Sequence, residues 1–307
     1  MKVLVTGGAG FIGSHTVELL LKKGFQPVVV DNLSTGQEDY LYGEVPFYRL
    51  PIQDEGLMEV FERERPHAVI HLAANAKVTT SVKDPQADAA TNIMGTLRVL
   101  EGCRQYGAKK IVYASSAAVY GNPQYLPIDE NHPVNPLSPY GISKYTPESY
   151  LQVYSQLYGL RYTAFRYANV YGVRQLLGGE AGVIPILMNQ LIAGETFTID
   201  GDGDQSRDYI NVEDVAGANV LALDKGDNEI FNLGTGQRTT LNELIALMES
   251  VLGKKIDTVH GPDRPGDIKD SYFDIQRVTD TLGWSPHVHL SDGLTQTYDY
   301  YQELALG

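Results

Sequence analysis

The segment KVLVTGGAGFIGSH, residues 2–15, joins an apolar β-branched run to an amphipathic one through Gly7, Gly10 and Gly13. Glycines at that spacing, directly after a strand and directly before a helix, let the backbone approach a pyrophosphate, which then sits at the positive helix N-terminus. With 31 glycines in the chain, the spacing alone could mark a tight turn; its place between strand and helix favours a dinucleotide site. The alternation then repeats through PVVV (27–30), a helical pattern over 55–64, AVIHLA (68–73), a second helical pattern over 88–106, and KIVYAS (110–115). Continuous apolar strands separated by helices predict a Rossmann-type doubly wound α/β fold, with a parallel sheet covered on both faces. Further on come a helix near 143–158, a strand at RYTAFRY (161–167), a helix near 183–194, an extended TFTI (196–199) and a helix near 240–252, with more turns between them. The loss of regularity sets the expected division: a dinucleotide-binding Rossmann domain over 1–167 and a smaller α/β substrate-binding domain over 168–307, from which later segments can return to the first sheet.

The second strand ends in Asp31, eighteen residues after Gly13. A carboxylate there would accept both adenosine ribose hydroxyls and repel a 2′-phosphate, and no Lys or Arg occurs between Lys23 and Arg49 to offset it. NAD is therefore expected rather than NADP. The 24 Lys and Arg against 38 Asp and Glu leave a net charge of −14, which makes nucleic acid and anionic membrane surfaces poor partners. No run approaches the roughly 18 apolar residues of a membrane span, and Thr6, Gly7 and Gly8 break the apolar start before a signal-peptide core is reached. Cys103 stands alone, so neither an internal disulfide nor a cysteine metal cluster is available. These features predict a cytoplasmic protein.

Two Tyr-x-x-x-Lys pairs occur, Tyr106/Lys110 and Tyr140/Lys144. Tyr106-Gly107 closes a helix and Lys110 opens a strand, so those side chains need not face each other. Tyr140 follows Ser138-Pro139, an N-cap and first helical residue, and the i, i+4 spacing puts Tyr140 and Lys144 on one helix face. A tyrosine acting as a base near neutral pH must fall by roughly 3 pKa units, which corresponds to about 4 kcal/mol of preferential phenolate stabilisation. A nearby ammonium, with a positive nicotinamide ring, can supply it. Ser116, at the end of a buried strand, would add a hydrogen bond to the reacting oxygen; alternatively Ser115 and Ser116 only satisfy the strand end.

Taken together, GGAGFIG with Asp31, HLAA (71–74), SSAAVYG (115–121), YGISK (140–144), FRYANVYG (165–172), SRDYINVEDV (206–215), NLGTG (232–236), RPGD (264–267) and LGWSP (282–286) cover nearly the whole chain. This set resembles the extended short-chain dehydrogenase/reductase family and, within it, the UDP-glucose (UDP-galactose) 4-epimerases. The resemblance implies inversion of C4 in a UDP-hexose through a transient 4-keto sugar. Tyr140 would take the 4-hydroxyl proton, Lys144 would lower its pKa and bind the nicotinamide ribose, and Ser116 would orient the 4-oxygen. Further cofactor contacts would come from Phe11, Ile12, Asn32, Ser34, Thr35, Gly36, Ile52, Leu72, Ala73, Ala74, Asn92, Ser115 and Tyr167. Asn169, Arg207 and Arg264 would hold the UDP pyrophosphate and Asp267 the uridine ribose, with Val183 and Tyr209 also at the substrate. The second domain would then bind the nucleotide sugar, and helices containing 92–106 and 143–158 would pair in a homodimer.

Some positions depart from the family pattern. In LPIQDEG (50–56), Pro51 stands where the family has an acidic residue against the adenine. Pro147 follows Lys144 in the same helix and predicts a kink. Ser271, four positions beyond Asp267, is small where the family tunes specificity at C2, which predicts room for the N-acetyl group of UDP-GlcNAc and UDP-GalNAc. Asp200, Asp202 and Asp204 imitate a calcium loop, but Gln205 and Asn211 replace its glycine and closing Glu, so a hairpin turn is expected and no metal. His287 and His289 are expected on a surface strand. Ala117 and Ala118 occupy the stretch where a dehydratase would carry an Asp-Glu pair. Epimerisation of UDP-glucuronate or other nucleotide-sugar chemistry on the same scaffold stays open, and a non-catalytic NAD sensor would have no use for a tuned phenolate.

Overall fold

The computed structural model describes residues 1–175, 182–263 and 268–306. Strand β1 (Lys2–Thr6) leads through the glycine turn into α1 (Phe11–Lys22), then β2 (Gln26–Asp31), β3 (Phe47–Arg49), α2 (Gly56–Glu64) and β4 (Ala68–His71). Two short helices, α3 (Val78–Lys83) and α4 (Pro85–Ala89), run into a π-helical turn (Ala90–Gly95) and α5 (Thr96–Tyr106). Then come β5 (Lys110–Ser116), α6 (Pro139–Tyr158), β6 (Arg161–Tyr167), β7 (Asn169–Tyr171), α7 (Val183–Ala193), β8 (Phe197–Asp200), β9 (Ser206–Arg207), β10 (Tyr209–Asn211) and α8 (Val212–Leu221). The chain closes with β11 (Glu229–Leu233), β12 (Thr239–Thr240), α9 (Leu241–Leu252), β13 (Thr258–Gly261), β14 (Asp270–Ser271), α10 (Gln276–Leu282) and α11 (Leu290–Leu306).

Seven strands form one sheet in the order β3-β2-β1-β4-β5-β6-β11, and each neighbouring pair is parallel. The doubly wound fold expected from the strand–helix alternation is therefore present. Successive residues of a strand face opposite sides, and the core obeys that period. Val3, Val5, Val29 and Ile70 pack with α1, α8 and α10; Leu4, Val28, Val30 and Val69 pack with α2, α5 and α6. Each such side chain contributes roughly 1.5–3 kcal/mol by leaving water. A separate apolar cluster joins α7, α9 and α11 through Leu187, Leu244, Met248 and Leu294.

β11 lies beyond residue 167, yet it pairs in register with β6, Phe231 beside Phe165. β3 escaped the pattern reading because it is a three-residue edge strand without a long apolar run. The helix expected over 88–106 is divided by the π turn. β8 and β9 do not form the expected hairpin: β8 pairs with β13, β9 with β12 and β14, because the Asp202 and Asp204 turn carries the chain from one small sheet to another. His287 is not on a strand either. The amides of His287 and Val288 donate to the buried Asp214 carboxylate at 2.8 and 3.2 Å, which pins that segment as a loop on α8. No described helix is long and apolar enough to cross a membrane.

Candidate active site

A cavity of 260 Å³ opens at the C-terminal ends of the central strands. It lies where the sheet order reverses between β1 and β4, the place where doubly wound sheets bind ligands. Gly7 has φ +71°, and a Cβ on it would stand 2.7 Å from the amide nitrogen of Ala73. At Gly13 a Cβ would meet the Gly7 carbonyl oxygen at 1.9 Å, so only glycine lets α1 start this close to β1. The α1 N-cap is Gly10, which brings no side-chain cap, and its first amides are left to an anionic ligand. Gly7, Gly10, Phe11, Ile12 and Gly13 all line the cavity.

Asp31, Asn32, Ser34 and Thr35 line it beyond β2, and Ile52, Leu72, Ala73 and Ala74 line the walls. The Asp31 carboxylate accepts from the amides of Ala9 (3.0 Å) and Leu33 (2.8 Å). Burial pushes its carboxyl upward, and the amides of Leu33, Ala9 and Asn32 oppose that. Gly36 supports the loop from below, packed on the Ala9 carbonyl. Asn92 is buried behind the wall: its Oδ1 accepts from the Asn75 amide (2.7 Å) and its Nδ2 donates to the Asn75 carbonyl and to Ser143 Oγ, both at 2.9 Å. Pro51, which stands where the family has an acidic residue, also lines the cavity, and the residues not anticipated there include Leu50, Gln53, Ala76 and Thr91. They sit on loops and the π turn, where neither a period nor a motif singles them out.

At the β5 end stand Ser115, Tyr140, Lys144 and Tyr167. Ser138 caps α6 by accepting from the Gly141 amide at 3.1 Å, with Pro139 as first helical residue. The helix runs unbroken through the buried Pro147. The Ser116 hydroxyl, which accepts from the Ala118 amide at 3.2 Å, lies beside the Tyr140 phenol. Burial holds the Tyr140 phenol above its ordinary range; the nearby Ser116 hydroxyl opposes this and the Asp88 carboxylate reinforces it. Lowering it toward neutral pH therefore falls to Lys144 and to the positive nicotinamide ring. Burial pulls Lys144 down to about 8, against the pull of the Asp88 and Glu148 carboxylates. Its ammonium lies 5.1 Å over the Tyr113 ring. Tyr167 donates to Asn219 Oδ1 at 2.7 Å.

Two buried networks hold this end in place. Glu148, one turn beyond Lys144, accepts from Ser115 Oγ (2.6 Å) and from Arg166 Nε (3.0 Å) and Nη2 (2.6 Å), which ties α6 to β5 and β6. His71 bridges Thr6 Oγ1 (2.6 Å) and Thr96 Oγ1 (2.9 Å). Thr96 donates to the Asn92 carbonyl, so His71 Nε2 must donate to Thr96 and Nδ1 must accept from Thr6. Burial keeps this ring neutral, pushed down to about 3. Tyr106 and Lys110 are not a pair: Tyr106 stacks on Phe61 and Lys110 binds Asp227 at 2.6 Å.

A second cavity of 440 Å³ is lined by Asn169, Val183, Arg207 and Tyr209, and also by Gln190, Phe197, Thr198, Asp200 and Gln205. The chain passes from one cavity to the other within two residues, from Tyr167 to Asn169. Arg207 Nη1 donates to the carbonyls of Ser206 (2.8 Å) and Ile268 (2.7 Å), and Ser271 lies beside Arg207 in the β14–β9 pairing. Arg264 and Asp267 lie outside the described residues.

Residues 3–234 match the model of the NAD dependent epimerase/dehydratase family. The chain belongs to that family. It is 44% identical over 299 residues, 97% of each chain, to the putative UDP-glucose 4-epimerase of Methanocaldococcus jannaschii. The Thermotoga maritima UDP-glucose 4-epimerase, solved with UDP-glucose, superimposes with a TM-score of 0.96 at 46% identity, covering 99% of this chain and 100% of that one. The Thermus thermophilus enzyme, solved with NAD, gives 0.93 at 42% identity, covering 98% and 99%. For this family member, the uncapped α1 N-terminus and the cavity-lining carboxylate of Asp31 fit a dinucleotide without a 2′-phosphate.

Proposed function

We propose that this chain inverts C4 of UDP-hexoses, interconverting UDP-glucose and UDP-galactose with NAD held in the 260 Å³ cavity. The observation that carries this reading is Tyr140, beside Ser116, standing on one cavity wall with Lys144 one helical turn away. Tyr140 takes the proton of the sugar 4-hydroxyl, and Ser116 holds the 4-oxygen during its passage to a ketone and back. NAD, when bound, supplies the acceptor for the C4 hydride and returns it. Return of the hydride to the other face of the 4-keto sugar would invert C4, and Tyr140 gives the 4-oxygen its proton back, so the reaction has no net redox change. Lys144 stabilises the phenolate and holds the nicotinamide ribose. Asn169, Arg207 and Arg264 hold the UDP pyrophosphate, Arg207 and Arg264 by charge-assisted hydrogen bonds. Asp267, Val183 and Tyr209 hold the nucleoside end.

The small Ser271 beside Arg207 extends the reading to UDP-GlcNAc and UDP-GalNAc. On its outer side α6 exposes Ile142, Tyr150, Val153 and Leu157, with Met94 nearby, an apolar stripe of the kind that marks an interface. We assign it to a homodimer, which light scattering should register as the mass of two chains; a monomer would refute it. The activity is tested by incubating the purified protein, with no added NAD, with UDP-galactose, UDP-GalNAc, UDP-glucuronate and dTDP-glucose. C4 epimers of the first two are expected. A 4-keto-6-deoxy product, or turnover of UDP-glucuronate alone, would overturn the assignment.

A further inference from the structure

Tyr140 is held at both ends of its backbone. Its amide donates to Ser81 Oγ of α3 at 3.0 Å, and its carbonyl accepts from Ser143 Oγ at 3.0 Å. Ser143 Oγ in turn accepts from Asn92 Nδ2 at 2.9 Å, and Asn92 leads to Asp88, which is buried on α4. Asp88 Oδ1 accepts from Asn92 Nδ2 at 3.2 Å, whereas its Oδ2 is closed to solvent and has no hydrogen-bond partner among the described residues. The position of Tyr140 is thus fixed by neutral groups, and an asparagine at 88 could offer Asn92 the same acceptor without burying a charge. What the carboxylate adds is its negative charge, which acts over a longer distance because water does not screen it.

That charge lies where the reaction can use it. α4 packs against α6, and the Asp88 carboxylate favours the ammonium of Lys144 while it opposes ionisation of Tyr140. The other groups around Lys144 are spent or neutral. Glu148, on the same helix, is bound to the guanidinium of Arg166 at 2.6 Å, which leaves that pair with no net charge. Tyr113 of β5 offers Lys144 the face of its ring, and His71 of β4 stays neutral. Around Asp88, the exposed Asp84 caps α4 by accepting from the Ala87 amide at 2.9 Å. Of the lysines at the ends of α3, Lys77 is half-buried and Lys83 exposed, and it is the charge of Lys144 that acts on Asp88.

We propose that Asp88 is a positioning residue that supplies the buried negative charge acting on Lys144 and Tyr140 together, and so sets the pH range over which the enzyme turns over. The proposal rests on the epimerase reading of this site, and a pH profile separates the two. Asp88→Asn lifts the charge from both groups, so the Lys144 ammonium is lost at lower pH and the Tyr140 phenolate forms at lower pH. Both limbs of kcat/KM for UDP-galactose, measured on the full-length NAD-loaded protein, should therefore move to lower pH by about one unit, the small end of what a neighbouring charge does. Asp88→Ser, uncharged and smaller, should move them the same way, and Asp88→Glu, which keeps the charge, should leave them in place; melting temperatures and NAD content confirm that the variants fold. A lower plateau with both limbs unmoved, or movement of one limb alone, would overturn the assignment of Asp88 and leave the epimerase reading standing. Absence of turnover in wild type at every pH would overturn that reading and the proposal with it.

Discussion

The two cavities are built by different means. The first is walled by strand ends of one continuous sheet and by the bare start of α1, so its phosphate-binding power comes from backbone amides. The second is assembled from α7, from short strands of three small sheets and from the side chains of Arg207, Gln190 and Gln205. This difference reconciles a net charge of −14 with two pyrophosphates. A helix N-terminus needs no lysine or arginine, and the second site needs only a few arginines in a local setting. The surface charge describes the outside of the molecule and says little about either cleft.

The strongest way to break the comparison is to remove chemistry from the first cavity without touching its walls. Tyr140→Phe keeps the ring and deletes the hydroxyl beside Ser116. The expected loss in kcat is about 10²- to 10⁴-fold, the range for a positioned acid–base group. NAD content and melting temperature should stay near wild type. Tyr106→Phe should leave kcat within about twofold, because that residue only packs on Phe61 and under Arg65. Comparable losses in both variants would remove Tyr140 from its role.

A smaller effect is expected from the second cavity. Arg207→Ala deletes a charge-assisted donor, worth about 1.5–3 kcal/mol, so KM for UDP-galactose should rise about 10- to 100-fold with NAD content unchanged. Replacing the exposed Lys22 and Lys255 by glutamine should alter KM less than twofold on the same view, since surface charges act weakly through water. If the lysine changes matched Arg207→Ala, the outer field rather than the local site would be recruiting the substrate.

How much of this was legible in the residues follows the same division. Gly7, Gly13 and Asp31 announce themselves because a phosphate near a helix start dictates residue type and spacing, and the Ser138-Pro139 start fixes Tyr140 and Lys144 on one face. Nothing local marks β11 as a member of the sheet, since its pairing with β6 spans more than sixty residues and is decided by packing of Phe231 and Leu233 into the common core. Asn169, Arg207 and Tyr209 were reached only through resemblance, because the second cavity draws each wall from a different short element.

The finest distinction concerns pH, and it separates the catalytic end of the first cavity from everything else. Lys144 is pulled from 10.5 to about 8 by burial, so its ammonium is lost on raising the pH through about 8. Since the ammonium supports the Tyr140 phenolate, kcat/KM should be roughly halved at pH 8 relative to its plateau and fall further above it. Stability should move the other way. Between about pH 8 and 10.5 the unfolded chain keeps a proton on this lysine that the folded chain has released, so the unfolded state binds more protons and folding becomes more favourable as pH rises. Lys144→Met should abolish turnover and flatten that part of the stability profile, measured by denaturant unfolding at a series of pH values. Activity and stability rising or falling together through this window would mean that Lys144 keeps its proton in the fold, and that burial at this end is offset by the Asp88 and Glu148 carboxylates more completely than the desolvation of Lys144 implies.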